Sequence, residues 1–186
     1  PLMVQLEDAP VLLVGGGRTA FHKAKILVDF GARVQVVAPE LLSEFRELPV
    51  RWESRTFQPE DLDRGGWILT VAATNHREVN RTVSRLCREK RIPVNVVDDP
   101  ELCSFIFPAL IREGEVVCAV SSGGRSPLVA QYVKKKIRQA LPEGLGALNE
   151  KMGIFRRQLK VAEPDPQVRN QRLRERFRKL LEELHP

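Results

Sequence analysis

The 186-residue chain is 42% hydrophobic and 29% charged, which supplies a sizeable core and excludes a disordered segment. No apolar run approaches the ~20 residues that span a bilayer and the start has no signal-peptide pattern, so a cytoplasmic protein without a membrane partner is expected. Residues 1–124 carry 15 basic and 17 acidic side chains against 15 and 7 in residues 125–186, so the C-terminal third has a positive field suited to an anionic ligand or partner.

The predicted elements alternate from the start. Residues 11–14 form a wholly apolar strand that runs into Gly15-Gly16-Gly17. A helix follows over 19–30, with Ala20, Ala24, Leu27 and Phe30 on its inner side and Gly31 as its stop. The spacing Gly15-x-Gly17-x-x-Ala20 between strand and helix is the setting in which a dinucleotide pyrophosphate is held. A residue without Cβ lets backbone approach phosphate, and the N–H groups and dipole of the helix start favour its charge. Strands are then expected at 33–37, within 49–56, at 67–72 and at 93–97, with a helix over 77–90. Continuous apolar strands separated by helices predict a parallel sheet covered on both faces, a doubly wound α/β domain.

After Pro108 the rhythm changes. Residues 115–121 read as a strand, 122–127 as a Gly-rich loop, and 128–141 as a helix with Ser126 at its N-cap and Pro127 in its first position. Two further amphipathic helices carry Leu145, Leu148, Met152, Phe155 and Leu159, then Leu173, Phe177, Leu180, Leu181 and Leu184, with a Pro-rich break at 162–166. They need a partner surface, either residues 113–141 or another subunit. Cys87, Cys103 and Cys118 are widely spaced with no His nearby, so they are expected as buried free thiols and no metal site is expected. The basic stretches 125–138 and 169–179 keep nucleic acid as a rival partner, but no recognised motif accompanies them and Tyr132 and Phe155 are too few for a stacking platform.

In an open α/β sheet, ligands bind beyond the carboxyl ends of the strands where strand order reverses. The candidate walls are therefore the glycine loop with Arg18 and Thr19, then Pro39-Glu40, Ala73-Thr74 and Asp98-Asp99. The position of the usual ribose-binding carboxylate is apolar, Glu40 comes slightly late, and nothing basic stands there for a 2′-phosphate. This favours NAD over NADP, with Arg18 the residue that argues the other way. On an extended strand Asp98 and Asp99 point to opposite faces, so one of the two faces the crevice. A partly buried carboxylate there is a candidate general base; the alternative is that Asp-Asp-Pro-Glu simply begins a turn.

The ordered set Val14-Gly15-Gly16-Gly17, Lys23-Ala24, Val36-Val37-Ala38-Pro39-Glu40, Ala72-Ala73-Thr74, Asn95-Val96-Val97-Asp98-Asp99-Pro100, Ser104-Phe105-Ile106-Phe107-Pro108 and Ala119-Val120-Ser121-Ser122-Gly123-Gly124-Arg125-Ser126-Pro127 resembles the precorrin-2 dehydrogenase and sirohydrochlorin ferrochelatase family, the N-terminal module of siroheme synthases. The resemblance covers about residues 1–146. It implies a Rossmann-like NAD-binding domain over 1–112, a dimerisation and substrate-loop region over 113–142 and a helical tail over 143–186. The implied activity is NAD-dependent oxidation of precorrin-2 to sirohydrochlorin by a homodimer, with Asp98 as the catalytic carboxylate. Gly15, Gly17, Arg18, Thr19, Pro39, Glu40, Ala73 and Thr74 would meet the cofactor, and Ser121, Ser122, Gly123 and Gly124 the anionic tetrapyrrole. Some members also insert Fe²⁺, and a non-catalytic NAD-sensing module is a further reading. Thr19 and His22 depart from the family, which usually has a branched apolar residue and Arg there.

Overall fold

In the computed structural model, which describes residues 2–184, the wholly apolar strands lie where both faces of a sheet are covered. Strands β1 (Pro10–Val14), β2 (Arg33–Ala38), β3 (Arg51–Ser54), β4 (Leu69–Ala72) and β5 (Val94–Val96) pair in parallel in the order β3-β2-β1-β4-β5. Helix α1 (Arg18–Asp29) covers one face and α2 (Arg77–Glu89) the other. The central strand shows why. Val11 and Leu13 pack with Ala20, Ala24 and Leu27 of α1, while the alternate residues Leu12 and Val14 pack with Val83 and Cys87 of α2. Each buried Val or Leu contributes about 1.5–3 kcal/mol, more than an exposed ion pair. The chain runs from β1 outward to β2 and β3, then returns to β4 and β5, so strand order reverses between β1 and β4.

Short 3-10 turns that the hydrophobic pattern does not announce, Ser43–Glu47, Pro59–Asp63 and Pro100–Leu102, join these elements. In the second, Asp61 is only 2% exposed. It accepts two hydrogen bonds from Arg55, at 2.7 and 2.8 Å, and one from the Gln58 N–H at 2.8 Å. Burial pushes its carboxyl upward, but the Arg55 and Gln58 hydrogen bonds more than reverse this and hold it below the ordinary carboxylate value.

The chain divides into two compact units between Phe107 and Pro108. The reason is a strand that the sequence pattern does not announce: β6 (Ala109–Glu113) pairs antiparallel with β7 (Val116–Val120) and so belongs to the second unit. Helix α3 (Pro127–Ala140) packs on the hairpin, and α4 (Leu145–Ala162) packs on β7 and on α5 (Pro166–Glu182), burying Leu148, Leu159 and Leu180. Glu113 accepts a hydrogen bond from the Gly146 N–H at 3.2 Å, fixing the hairpin end to the start of α4. Ser126 caps α3 as expected, accepting from the Val129 N–H at 3.3 Å. The first turns of α3 expose apolar side chains: Leu128, Val129 and Tyr132 are 82%, 55% and 63% exposed.

All three cysteines are free thiols, but Cys87 alone is buried; Cys103, in a turn, and Cys118, on the two-stranded hairpin, are half-buried. Burial pushes the Cys87 thiol up to about 11. Among the described residues no helix is long and apolar enough to cross a membrane.

Candidate functional site: the carboxyl ends of β1, β4 and β5

Beyond Val14 the backbone makes a turn that Gly15 permits, with φ at 119°. A Cβ at Gly15 would overlap Ala73 O, so the loops after β1 and β4 meet backbone to backbone. The Gly15 N–H donates to Val37 O at 3.0 Å and the Leu42 N–H to Gly16 O at 3.0 Å, which ties the same loop to the end of β2. A Cβ at Gly16 would overlap Glu40 O, so the backbone of Pro39 and Glu40 runs against the glycine loop. That stretch is itself anchored, with Trp52 Nε1 donating to Ala38 O at 2.9 Å and Ser54 Oγ to Pro39 O at 3.0 Å.

Gly17 differs from its neighbours because open space surrounds it. It caps α1 without a side-chain hydrogen bond, and the first turn holds no acidic residue. The N–H groups of Arg18, Thr19 and Ala20 therefore point from an uncapped helix start into solvent beside an uncrowded glycine. That is a cradle for an anion, and it fits the pyrophosphate of NAD(P).

Across the reversal point, Thr74 is locked by Asn80, a residue outside the sequence-based candidates. Thr74 Oγ1 donates to Asn80 Oδ1 at 2.7 Å and Asn80 Nδ2 donates to Thr74 O at 2.9 Å. The His76 N–H donates to Thr74 Oγ1 at 3.1 Å. Asn80 is 7% exposed on α2, in line with Val83 and Cys87. A polar residue on the apolar side of a helix was the signal available for it.

The acid pair is arranged differently from the extended strand expected. β5 stops at Val96, the Val97 N–H donates to Ala72 O at 3.0 Å, and Asp98 takes a left-handed conformation with φ at 61°. Asp99 is half-buried and pairs with Arg77 of α2 at 3.4 Å. Asp98 is exposed and makes neither hydrogen bond nor ion pair among the described residues. The turn is held from below: Cys103 Sγ accepts from the Val96 N–H at 3.1 Å, and Asn95 Nδ2 donates to Phe105 O at 3.0 Å. Cys103 and Asn95 were also absent from the sequence-based candidates.

Gly15, Gly17, Arg18, Thr19, Pro39, Glu40, Ala73, Thr74 and Asp98 thus cluster at one end of the sheet. Ser121, Ser122, Gly123 and Gly124 lie in the second compact unit. There Ser122 Oγ donates to Ser126 O at 2.8 Å and accepts from the Ser126 N–H at 3.1 Å, while the Gly123 N–H donates to Ser121 Oγ at 3.1 Å. Gly123 and Gly124 have φ of 65° and 77°. Ser122 therefore shapes the loop, and among the described residues the Ser121 hydroxyl hydrogen and the Gly124 N–H have no acceptor. Among the described residues no group of three or more His, Cys, Asp or Glu is placed to hold a metal ion.

A cavity of about 600 Å³ opens elsewhere, at the amino ends of β1, β2 and β3, where Arg33, Arg51, Arg64, Glu53 and Trp67 line it. Its position at the strand starts separates it from the reversal-point crevice, where this class of sheet binds its ligands.

A family model described as "Putative NAD(P)-binding" matches residues 2–109. The chain belongs to this family. As a member of this NAD(P)-binding family it is also similar to "Siroheme synthase 3" of Aeromonas hydrophila, 43% identical over 165 residues that cover 87% of this chain and 35% of that protein. It is similar to the siroheme synthase of Pseudomonas aeruginosa as well, 40% identical over 171 residues, 91% of this chain and 37% of the relative. The NAD(P)-binding chain thus spans roughly a third of the length of the curated relatives it matches. A solved structure, "SirC, precorrin-2 dehydrogenase", superimposes with a TM-score of 0.78 at 24% identity over 99% of this chain and 98% of that one, which shows a shared fold.

Proposed function

We propose that this protein oxidises precorrin-2 to sirohydrochlorin, with NAD⁺ reduced to NADH and one proton released. The observation that carries this reading is the free carboxylate of Asp98 two strands over from the glycine cradle, its turn fixed to Ala72 at 3.0 Å. The likeness to siroheme synthases supports it, because it covers 86–91% of this chain. When bound, NAD⁺ supplies the hydride acceptor. The chain's own task is placement. Its first-turn N–H groups hold the pyrophosphate, the Ala73–Thr74 backbone walls the crevice, and Glu40 offers a carboxylate to ribose in preference to a 2′-phosphate.

Loss of hydride leaves positive charge spread over the substrate's pyrrole system. Asp98 stabilises that charge and then takes the proton that completes the oxidation. Asp99 is committed to Arg77 and serves the turn. The loop at Ser121–Gly124 and the basic side chains of α3–α5 supply donors and positive charge for the substrate's carboxylates. The protein works as a homodimer in the cytoplasm, where its three thiols stay reduced.

The test is anaerobic incubation of purified protein with freshly generated precorrin-2, with and without NAD⁺, followed by absorption spectroscopy. Sirohydrochlorin formation that requires NAD⁺ is the expected result. Demonstrated NAD⁺ binding without oxidation would replace it with the sensing module. Adding Fe²⁺ to the same mixture asks whether the chain also inserts iron.

A further inference from the structure

The ammonium of Lys23 has no role in the fold that accounts for it. Lys23 sits on the second turn of α1, half-buried, with Nζ 4.2 Å from the centroid of the Phe107 ring. Among the described residues it makes no hydrogen bond and has no carboxylate within 4.0 Å. The Phe107 ring packs at 5.4 Å against Phe105, whose carbonyl accepts from Asn95 of β5, which places Lys23 on the side of the turn after β5. Burial pushes its pKa below the ordinary lysine value, and the nearby Cys103 and Asp98 only partly offset this. Arg55, the other cation drawn into the first unit, is matched by both Asp61 and Glu53. An aromatic face recovers part of the hydration an ammonium loses on burial, and an anion recovers the rest.

We infer that Lys23 binds a carboxylate of the tetrapyrrole substrate, seating the macrocycle over the turn that presents Asp98. This rests on the dehydrogenase reading above. A cofactor phosphate carries similar charge, but the helix-start N–H groups that would hold it, on Arg18, Thr19 and Ala20, lie three to five residues before Lys23, ~5–8 Å along the helix axis. Lys23's aromatic neighbour, Phe107, belongs to the β5 side of the crevice. A ring with an anionic rim and an electron-poor centre after hydride loss is matched by a cation at the edge and a carboxylate beneath.

The experiment compares wild type, Lys23→Met and Lys23→Arg. It reads kcat and KM for precorrin-2, NAD⁺ affinity by fluorescence, sirohydrochlorin affinity by absorbance titration, and thermal melting. Lys23→Met should raise KM and weaken sirohydrochlorin binding about ten- to hundredfold, the loss of one charge-assisted hydrogen bond. NAD⁺ affinity should stay within about twofold, and Lys23→Arg should recover most of the binding. The Met variant should melt no lower than wild type, because it removes a poorly hydrated charge. Unchanged tetrapyrrole binding in Lys23→Met overturns the inference, and so does a matching fall in NAD⁺ affinity, which would assign Lys23 to the cofactor. Failure of the wild type to oxidise precorrin-2 counts against the dehydrogenase reading alone, because the sirohydrochlorin titration judges Lys23 without turnover.

Discussion

Asp98 holds a left-handed turn, and among the described residues its carboxylate is unpaired. Among non-glycine residues Asn and Asp tolerate that conformation best, so Asp98→Asn removes the charge and keeps the turn. This variant should bind NAD⁺ and melt like wild type, yet oxidise precorrin-2 about 10²–10⁴-fold more slowly, as measured by NADH formation. Asp98→Val should also cost about 1–2 kcal/mol of stability, because its Cβ branch is forced into the left-handed region. The glycines separate in the same manner. Gly15→Ala should destabilise the fold by about 2–4 kcal/mol, since φ is 119° and the methyl overlaps Ala73 O. Gly17→Ala meets open space at φ −82° and should leave stability within about 0.5 kcal/mol, while its methyl shields the helix start and weakens NAD⁺ binding about tenfold or more. Urea unfolding beside NAD⁺ titration of the two variants separates structure from binding.

Among the elements, the 3-10 turn Pro59–Asp63 is held by a buried charge. The Asp61 carboxyl lies below its ordinary value in the folded protein, so its stabilisation is complete above the unfolded pKa of about 3.9 and disappears as pH falls through the folded value. Asp61→Asn should lose about 2–4 kcal/mol at pH 7, and the gap to wild type should close below about pH 4. Urea midpoints at pH 7 and pH 3 check both the size and the sign. What sequence shows and what it hides divides along similar lines. β1, β2 and β4, with α1 and α2, are legible because their side chains are sorted by burial, and the Gly15–Ala20 spacing places the cradle because only that backbone shape serves a phosphate. β6 is hidden in Ala-Leu-Ile-Arg-Glu, a short run directly after a proline that reads as a strand only once its partner β7 is known. The lock of Thr74 by Asn80 and the turn at Asp98 depend on distances between elements, which no periodicity encodes.

At the scale of the molecule, the chain carries a complete parallel sheet and, after Phe107, a hairpin with three helices. A two-stranded sheet is marginal by itself, and here α3 and α4 support it. The outward side of α3, with Leu128, Val129 and Tyr132 more than half exposed, is the surface a second copy would cover. Light scattering after gel filtration should give about twice the 21.1 kDa chain mass, and Leu128→Glu with Tyr132→Glu should give the single chain. A dimer joined through that helix face would tie the protein's endurance to its abundance. Where copies are scarce the equilibrium runs toward separate chains by mass action, so the melting temperature should fall steadily on dilution and the last unit to be made should be the first to come apart.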